Sequence, residues 1–215
     1  KSLPLAVVNG IRGNVRFNTI HCFGDAQHSG TVPRDLRHDA VCGVSDLIMR
    51  LDARWQSRLS AGDDLVVTSG IFQTDVQEHA VTRISGHVSF SLEARSLNSY
   101  TLTAFAEEIM ATAHQVSEAR GVTFRFDSPV LTEPATLDHS VFAALKHSCE
   151  ALAVNHLELA SGAGHDSAIF ARQGIPSGMV FVRNQNGSHN PHEAMEMDDF
   201  LLGVGVIQQT LEEWK

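Results

Sequence analysis

Cysteine is scarce in this sequence: Cys22, Cys42 and Cys149 are three residues among 215, an odd and scattered set. Each sits inside an apolar pattern, which argues against a disulfide framework or a thiolate metal cluster and predicts buried free thiols. Long hydrophobic runs are missing as well. Leu3–Val8 is far too short to span a bilayer or to form a signal-peptide core, and it runs straight into Asn9-Gly10. The expectation is a soluble, cytoplasmic protein with no membrane partner. Positive charge is in deficit, with 16 Lys and Arg against 25 Asp and Glu and a formal net charge of -9. That balance excludes the broad basic surface a nucleic acid or an anionic membrane would need. Histidine is abundant at 12 residues, but these are spread along the chain, so most are read as ordinary surface or capping residues. The length is enough for one good core or two small ones.

Two polar, glycine-bearing loops stand out between apolar runs: Ser161-Gly-Ala-Gly-His-Asp-Ser167 and Gly187-Ser-His-Asn-Pro-His-Glu193. An α/β protein places backbone amides and ligating side chains in such loops, at the mouth of its sheet. The first follows Leu157–Ala160 and leads into a helix expected over His165–Arg172, stopped by Gly174 and Pro176. The N-terminus of that helix suits a carboxylate or an oxyanion. The second loop follows a buried strand at Gly178–Val182, and Asn190-Pro191 forces extended backbone just after His189. A histidine in such a turn is either a zinc ligand or a loop histidine bonded to backbone. Zinc needs three or four protein ligands, so His189 alone is not a site. Pro191 rules against a regular helix through His192, which reads as solvent-exposed.

Taken in order, Leu5–Val8 reads as a short strand. Asn14–Phe23 is a second, alternating at Val15 and Phe17 and then slipping to Ile20 and Cys22, which predicts a bulge near Asn18. The stripe Ala40, Val41, Val44, Leu47, Ile48, Leu51 and Trp55 predicts one long amphipathic helix from Arg34 to Trp55, with Arg37, Asp46, Arg50 and Arg54 on its polar face. Strands are expected at Leu65–Phe72 and His87–Arg95. The second puts Val88, Phe90, Leu92 and Ala94 on one face and Ser89, Ser91, Glu93 and Arg95 on the other. Asn98 caps a helix over Ser99–Arg120 that buries Leu102, Phe105, Ala106, Ile109, Met110, Ala113 and Val116 and stops at Gly121. Val122–Phe126 is a last strand, completing a β-α-β-β-α-β order of the ferredoxin-like kind. After Pro129 and Pro134 the pattern turns to helix (about 138–154), strand, helix, strand and helix (about 198–214), as in a parallel α/β sheet. Two or three such strands cannot cover themselves, so another part of the fold is expected to pack there.

The two loops, in this order and at this separation, resemble the last two motifs of the di-metal amidohydrolases of the aminoacylase/carboxypeptidase superfamily. They are most similar to its hydantoinase/carbamoylase branch of N-carbamoyl-L-amino acid hydrolases and allantoate amidohydrolases. The resemblance implies a ferredoxin-like lid and dimerisation domain plus the C-terminal part of an α/β metallohydrolase catalytic domain. Residues 1–12 would be the last strand of the first catalytic segment, 13–130 the lid, and 131–215 the final catalytic segment. It implies that His189 is the last metal ligand and that the backbone at Gly164 meets the substrate carboxylate. A complete site of this family takes two divalent metals, among zinc, manganese, cobalt or nickel. No Gly-x-His-x-Asp motif occurs here, and the Glu107-Glu108 and Glu212-Glu213 pairs fall on amphipathic helices. The N-terminal catalytic half, with its general base and remaining ligands, is therefore expected to be absent from these residues, and the chain alone to be inactive and not to retain metal.

Gly24-Asp-Ala-Gln-His-Ser-Gly-Thr-Val-Pro33, followed by Arg37-His-Asp-Ala40, resembles the lid motif of the same family. On the residues alone, His28 is projected by a glycine-bounded loop ahead of a helix, either to donate to an oxyanion or to bond Thr31 or the helix start. By resemblance it reaches the active site of a dimer mate. The stretch His79–Arg95 resembles the segment whose asparagine and arginine hold the substrate carboxylate. Arg95 matches the arginine, with a planar fork suited to a bidentate contact, although unaided it reads equally as a strand-edge surface charge. Thr82 stands where the branch carries asparagine and offers one hydroxyl in place of an amide. The implied activity is metal-dependent hydrolysis of linear C–N bonds in N-carbamoyl-amino-acid-like substrates, by a homodimer joined through its lid. Two alternatives are a non-catalytic dimerisation or binding module and an aminoacylase- or peptidase-type relative. An RNA-binding ferredoxin-like domain is disfavoured by the acidic charge and by strands without aromatic stacking pairs.

Overall fold

The computed structural model describes residues 3–214, so Lys1, Ser2 and Lys215 at the ends of the two expected catalytic segments lie outside the described residues. The elements are β1 (Leu5–Ile11), β2 (Gly13–Phe23), β3 (Gln27–His28), a 3-10 turn at Arg34–Leu36, α1 (Ala40–Ser60), β4 (Val66–Thr68), β5 (Phe72–Thr74), β6 (Arg83–Ile84) and β7 (His87–Ser96). They continue with α2 (Ser99–Arg120), β8 (Thr123–Phe126), β9 (Val130–Thr132), β10 (Ala135–Thr136), α3 (His139–Ala151), β11 (His156–Ser161), α4 (Asp166–Arg172), β12 (Val180–Val182) and α5 (Met197–Glu213). This is a mixed α/β protein of two units. One joins the chain up to Arg12 with the chain from Pro134 onward, and the other is Gly13–Glu133.

In the Gly13–Glu133 unit the strand order is β4-β7-β2-β8, with β5 also on β7 and β9 also on β2. Alternation puts Val88, Phe90, Leu92 and Ala94 on one face of β7, where they meet Val44, Leu47 and Leu51 of α1 and Phe105, Ile109 and Val116 of α2 in one core. The expected slip in β2 is a register shift between Phe17 and Ile20. α2 starts where Asn98 accepts from the Tyr100 and Thr101 amides and ends at Gly121, whose φ of 65° costs glycine little. Four expectations need correction. The helix does not begin at Arg34: Asp39 accepts from the Val41 and Cys42 amides and starts α1 at Ala40, leaving Arg37 in extended backbone outside it. The single strand Leu65–Phe72 is two short ones, β4 and β5, interrupted around Gly70. Met110 is exposed, beside the stripe rather than in it. Cys42 is likewise exposed, while Cys22 is buried. Burial, with Asp39 adding, pushes the Cys22 thiol up to about 12, far from thiolate chemistry.

In the other unit β1 is central, pairing in parallel with β11 and antiparallel with β10 and β12. The expected parallel sheet is therefore mixed. Its two faces hold separate cores: Leu5 and Val7 pack with Leu145 and Cys149 of α3 and Val206 of α5, and Val8 and Ile11 pack with Ala168 of α4. Along α5, Leu201, Val204, Ile207 and Leu211 are exposed. Among the described residues no helix is long and apolar enough to cross a membrane.

Candidate functional site

The direction of β12 decides where the two glycine-bearing loops begin. Ser161, at the end of β11, lies beside Ile11, whereas Val182, at the end of β12, lies beside Leu5. The loops leave the sheet at opposite ends of β1, roughly 20 Å apart at about 3.3 Å per strand residue. The sequence does not reveal this, because an apolar strand reads the same in either direction.

Around Ser161 the geometry is tight. Its buried hydroxyl donates to the Ala163 carbonyl (2.9 Å) and accepts the Ala163 amide (3.1 Å). With its one proton so used, Ser161 can only accept from His165 Nε2 (2.9 Å), which puts the proton of neutral His165 on Nε2. Gly164 is exposed, and a Cβ there would meet nothing within 4 Å, so its surroundings leave room for a ligand to approach. The helix behind it is short, Asp166–Arg172, and carries an acid in its first turn, which works against an anion at that end.

Around His189 the backbone is unusual. Asn186, Gly187 and His189 all adopt left-handed conformations, with φ of 63°, 73° and 62°. For His189 this is a strained state, sustained by local bonds. The Glu193 carboxylate accepts the His189 amide (3.0 Å) and the Asn184 side-chain amide (2.9 Å). These bonds, Asn184 first, hold its pKa below the usual carboxylate range. In the sequence Glu193 only closes the second loop motif, and the one hint of its role is an acid four residues after a turn histidine. The His189 side chain is exposed and available as one imidazole donor. Among the described residues no group of three or more His, Cys, Asp or Glu is arranged to hold a metal ion. These residues do not by themselves fit a metal centre.

His28 lies in the β3-β6 ribbon, where it pairs with Arg83, and Thr82 is in the turn just before β6, where its carbonyl accepts the Ser29 amide (2.8 Å). The Gly30 amide donates to His28 Nδ1 (3.1 Å), so the neutral ring carries its proton on Nε2 and that nitrogen is a donor. The ribbon continues from the His87 end of β7, where Gly24 bonds Gly86. Arg95 lies at the other end of β7, opposite Asn14 of β2 and Val66 of β4. It is therefore not a strand-edge charge: β7 is paired on both sides, and the Arg95 side chain is only 25% exposed. From His87 to Arg95 alone is roughly 26 Å of strand, and Thr82 precedes β6, on the His87 side of β7.

Arg95 is anchored by a short ion chain. Its Nε donates to Glu93 Oε2 (2.9 Å), and Arg16 donates to Glu93 Oε1 through Nε (2.9 Å) and Nη2 (2.6 Å). Burial raises the Glu93 pKa, but the bonds from Arg95 and Arg16 outweigh it and hold the carboxyl below its usual 4.5. Because the folded value is depressed, the stabilisation is complete above the unfolded pKa and fades as pH falls through the folded one. Wild type is expected to resist urea better than Glu93→Gln at neutral pH, with the gap shrinking steadily below about pH 4.5. A gap that stays constant on acidification would show that the carboxylate charge is not what matters.

Comparison with known proteins places this geometry. The model of peptidase family M20/M25/M40 matches residues 13–213. An N-carbamoyl-L-amino-acid amidohydrolase of a Pseudomonas species is 31% identical over 97% of this chain and 49% of its own length. An allantoate amidohydrolase of Escherichia coli is 30% identical over 94% of this chain and 48% of its own. Among solved structures, an amidase of the hydantoinase/carbamoylase family from Burkholderia multivorans superposes with a TM-score of 0.88 at 24% identity, covering 96% of this chain and 49% of that one. The chain thus spans about half the length of the relatives it matches.

Proposed function

The chain belongs to peptidase family M20/M25/M40, and on that premise we propose that it is a segment of a hydrolase of linear C–N bonds acting on substrates that carry a carboxylate, such as N-carbamoyl amino acids. The observation that carries this reading is Arg95, a half-buried guanidinium held in one plane by Glu93 on an interior strand. Such a fixed fork suits bidentate recognition of a carboxylate. The relatives named above, an N-carbamoyl-amino-acid and an allantoate amidohydrolase, support the substrate class.

In this reading the Gly13–Glu133 unit is the ferredoxin-like lid and dimerisation domain, and the remainder is the C-terminal part of a catalytic domain, with boundaries near 12 and 130. Hydrolases of this family generally depend on divalent metal, which supplies an activated water and polarises the scissile carbonyl. His189 would contribute one imidazole to that metal. The other ligands and the general base would come from the roughly equal length of chain that relatives have in addition. That half would also cover the exposed apolar face of α5. The chain's own residues bind and orient: Arg95 takes the substrate carboxylate, the Gly164 backbone faces the substrate, and the His28 Nε2–H donates to the oxygen that becomes negative. Since Arg95 lies at the far end of β7 from the ribbon that carries His28, Thr82 and His28 of one copy would serve the same substrate as Arg95 of another. This favours a two-fold dimer.

The test is Arg95→Lys in a full-length enzyme containing this segment. Loss of the bidentate geometry is expected to cost about 1.5–3 kcal/mol in kcat/KM on N-carbamoyl amino acids. An unchanged kcat/KM would remove the carboxylate assignment.

A further inference from the structure

We propose that Arg37 is the positioning residue for His28. The proposal rests on the reading of His28 as an oxyanion donor. The loop that carries His28 is almost wholly exposed, so packing does not set the direction of the ring. Polar contacts must do so. Three of them are internal: Thr31 donates to the His28 carbonyl through its amide (3.1 Å) and hydroxyl (3.0 Å), and the Gly30 amide donates to His28 Nδ1 (3.1 Å). These define a turn, and the pairing of His28 with Arg83 joins its start to β6, but none of them holds the Ser29 and Val32 carbonyls on the far side.

Arg37 holds both. The 3-10 turn Arg34–Leu36 ends at Arg37 in extended backbone (φ -88°, ψ 127°), ahead of α1. From there its side chain reaches back over the loop, with Nε donating to the Val32 carbonyl (2.9 Å) and Nη2 to the Ser29 carbonyl (2.5 Å). Ser29 is thereby held on both sides, its carbonyl by Arg37 and its amide by the Thr82 carbonyl (2.8 Å). The residue following the ring is fixed, and so is the Gly30 amide that selects the Nε2–H form. Two carbonyls three residues apart demand a planar fork, which a lysine ammonium cannot span.

An ordinary loop-stabilising arginine would share these bonds, so the test must read the ring itself. Nitrogen NMR of a full-length enzyme containing this segment is expected to show neutral His28 as a single Nε2–H tautomer with a protected Gly30 amide. In Arg37→Lys the Gly30 amide should exchange about tenfold faster, as for the loss of one charge-assisted bond, and the ring should become a mixture of tautomers. Millimolar guanidinium added to Arg37→Ala should restore both signals. In a full-length enzyme, Arg37→Lys should lower kcat about tenfold with KM unchanged. Unaltered Gly30 exchange and an unaltered tautomer in Arg37→Lys would overturn the proposal. If the ring responds as expected but His28→Ala leaves kcat intact, the donor reading of His28 falls, and the catalytic part of the proposal with it.

Discussion

Replacing His28 by alanine in a full-length enzyme that contains this segment is expected to lower kcat by about 10²–10³, with little change in KM. A donor aimed at charge that develops only in the transition state stabilises that state and not bound substrate, and removing one such donor costs about 2.7–4 kcal/mol. The structure prepares His28 for this: the Gly30 amide occupies Nδ1, which leaves Nε2–H as the outward donor of an exposed ring. Stability should barely change, because the side chain touches no core. A loss confined to KM would instead make His28 a binding contact. Subunit mixing tests whether it acts across the dimer. If His28 of one copy and Arg95 of the other serve one site, a heterodimer of His28→Ala and Arg95→Lys keeps one intact site. Random mixing in a two-fold dimer should then recover about a quarter of wild-type activity. No recovery would place both residues on the same copy's substrate.

Phe105→Ala is the largest stability change expected in the Gly13–Glu133 unit, about 3–5 kcal/mol. Phe105 is fully buried on α2 against the inner face of the sheet, so truncation removes both its transfer energy and the contacts lining the void. Small domains have only about 5–15 kcal/mol in total. The unit should unfold at markedly lower urea with an unchanged slope. The neighbouring Met110→Ala, exposed on the same helix, should cost well under 1 kcal/mol, as surface substitutions do. Equal effects at the two positions would mean that the α2 stripe has been placed on the wrong face.

Much of this was legible from residue order because it depends on local rules. Alternation along His87–Ser96, the slip near Asn18 in β2, and Asn98 and Gly121 at the ends of α2 follow from side-chain periodicity, capping and backbone freedom, which act over a few residues. The resemblance around His28, Gly164 and His189 is carried by contiguous loop residues too, so the sequence alone could raise their roles as proposals. What neither periodicity nor motif carries is direction and partnership. β12 runs antiparallel to β1, which sends the loops at Ser161 and Val182 to opposite ends of the sheet, because strand direction depends on which edges meet after the chain returns. Arg95 reads as an edge charge until β4 and β2 pair on either side of β7. Arg37 was assigned to a helix face until the Asp39 cap shortened α1 and freed it to span Ser29 and Val32. The placement of Thr82 and Arg95 is of the same kind: β2 and β4 fix Arg95 at the far end of β7, while the Ser29 amide holds Thr82 beside the His28 ribbon, and only tertiary pairing decides either.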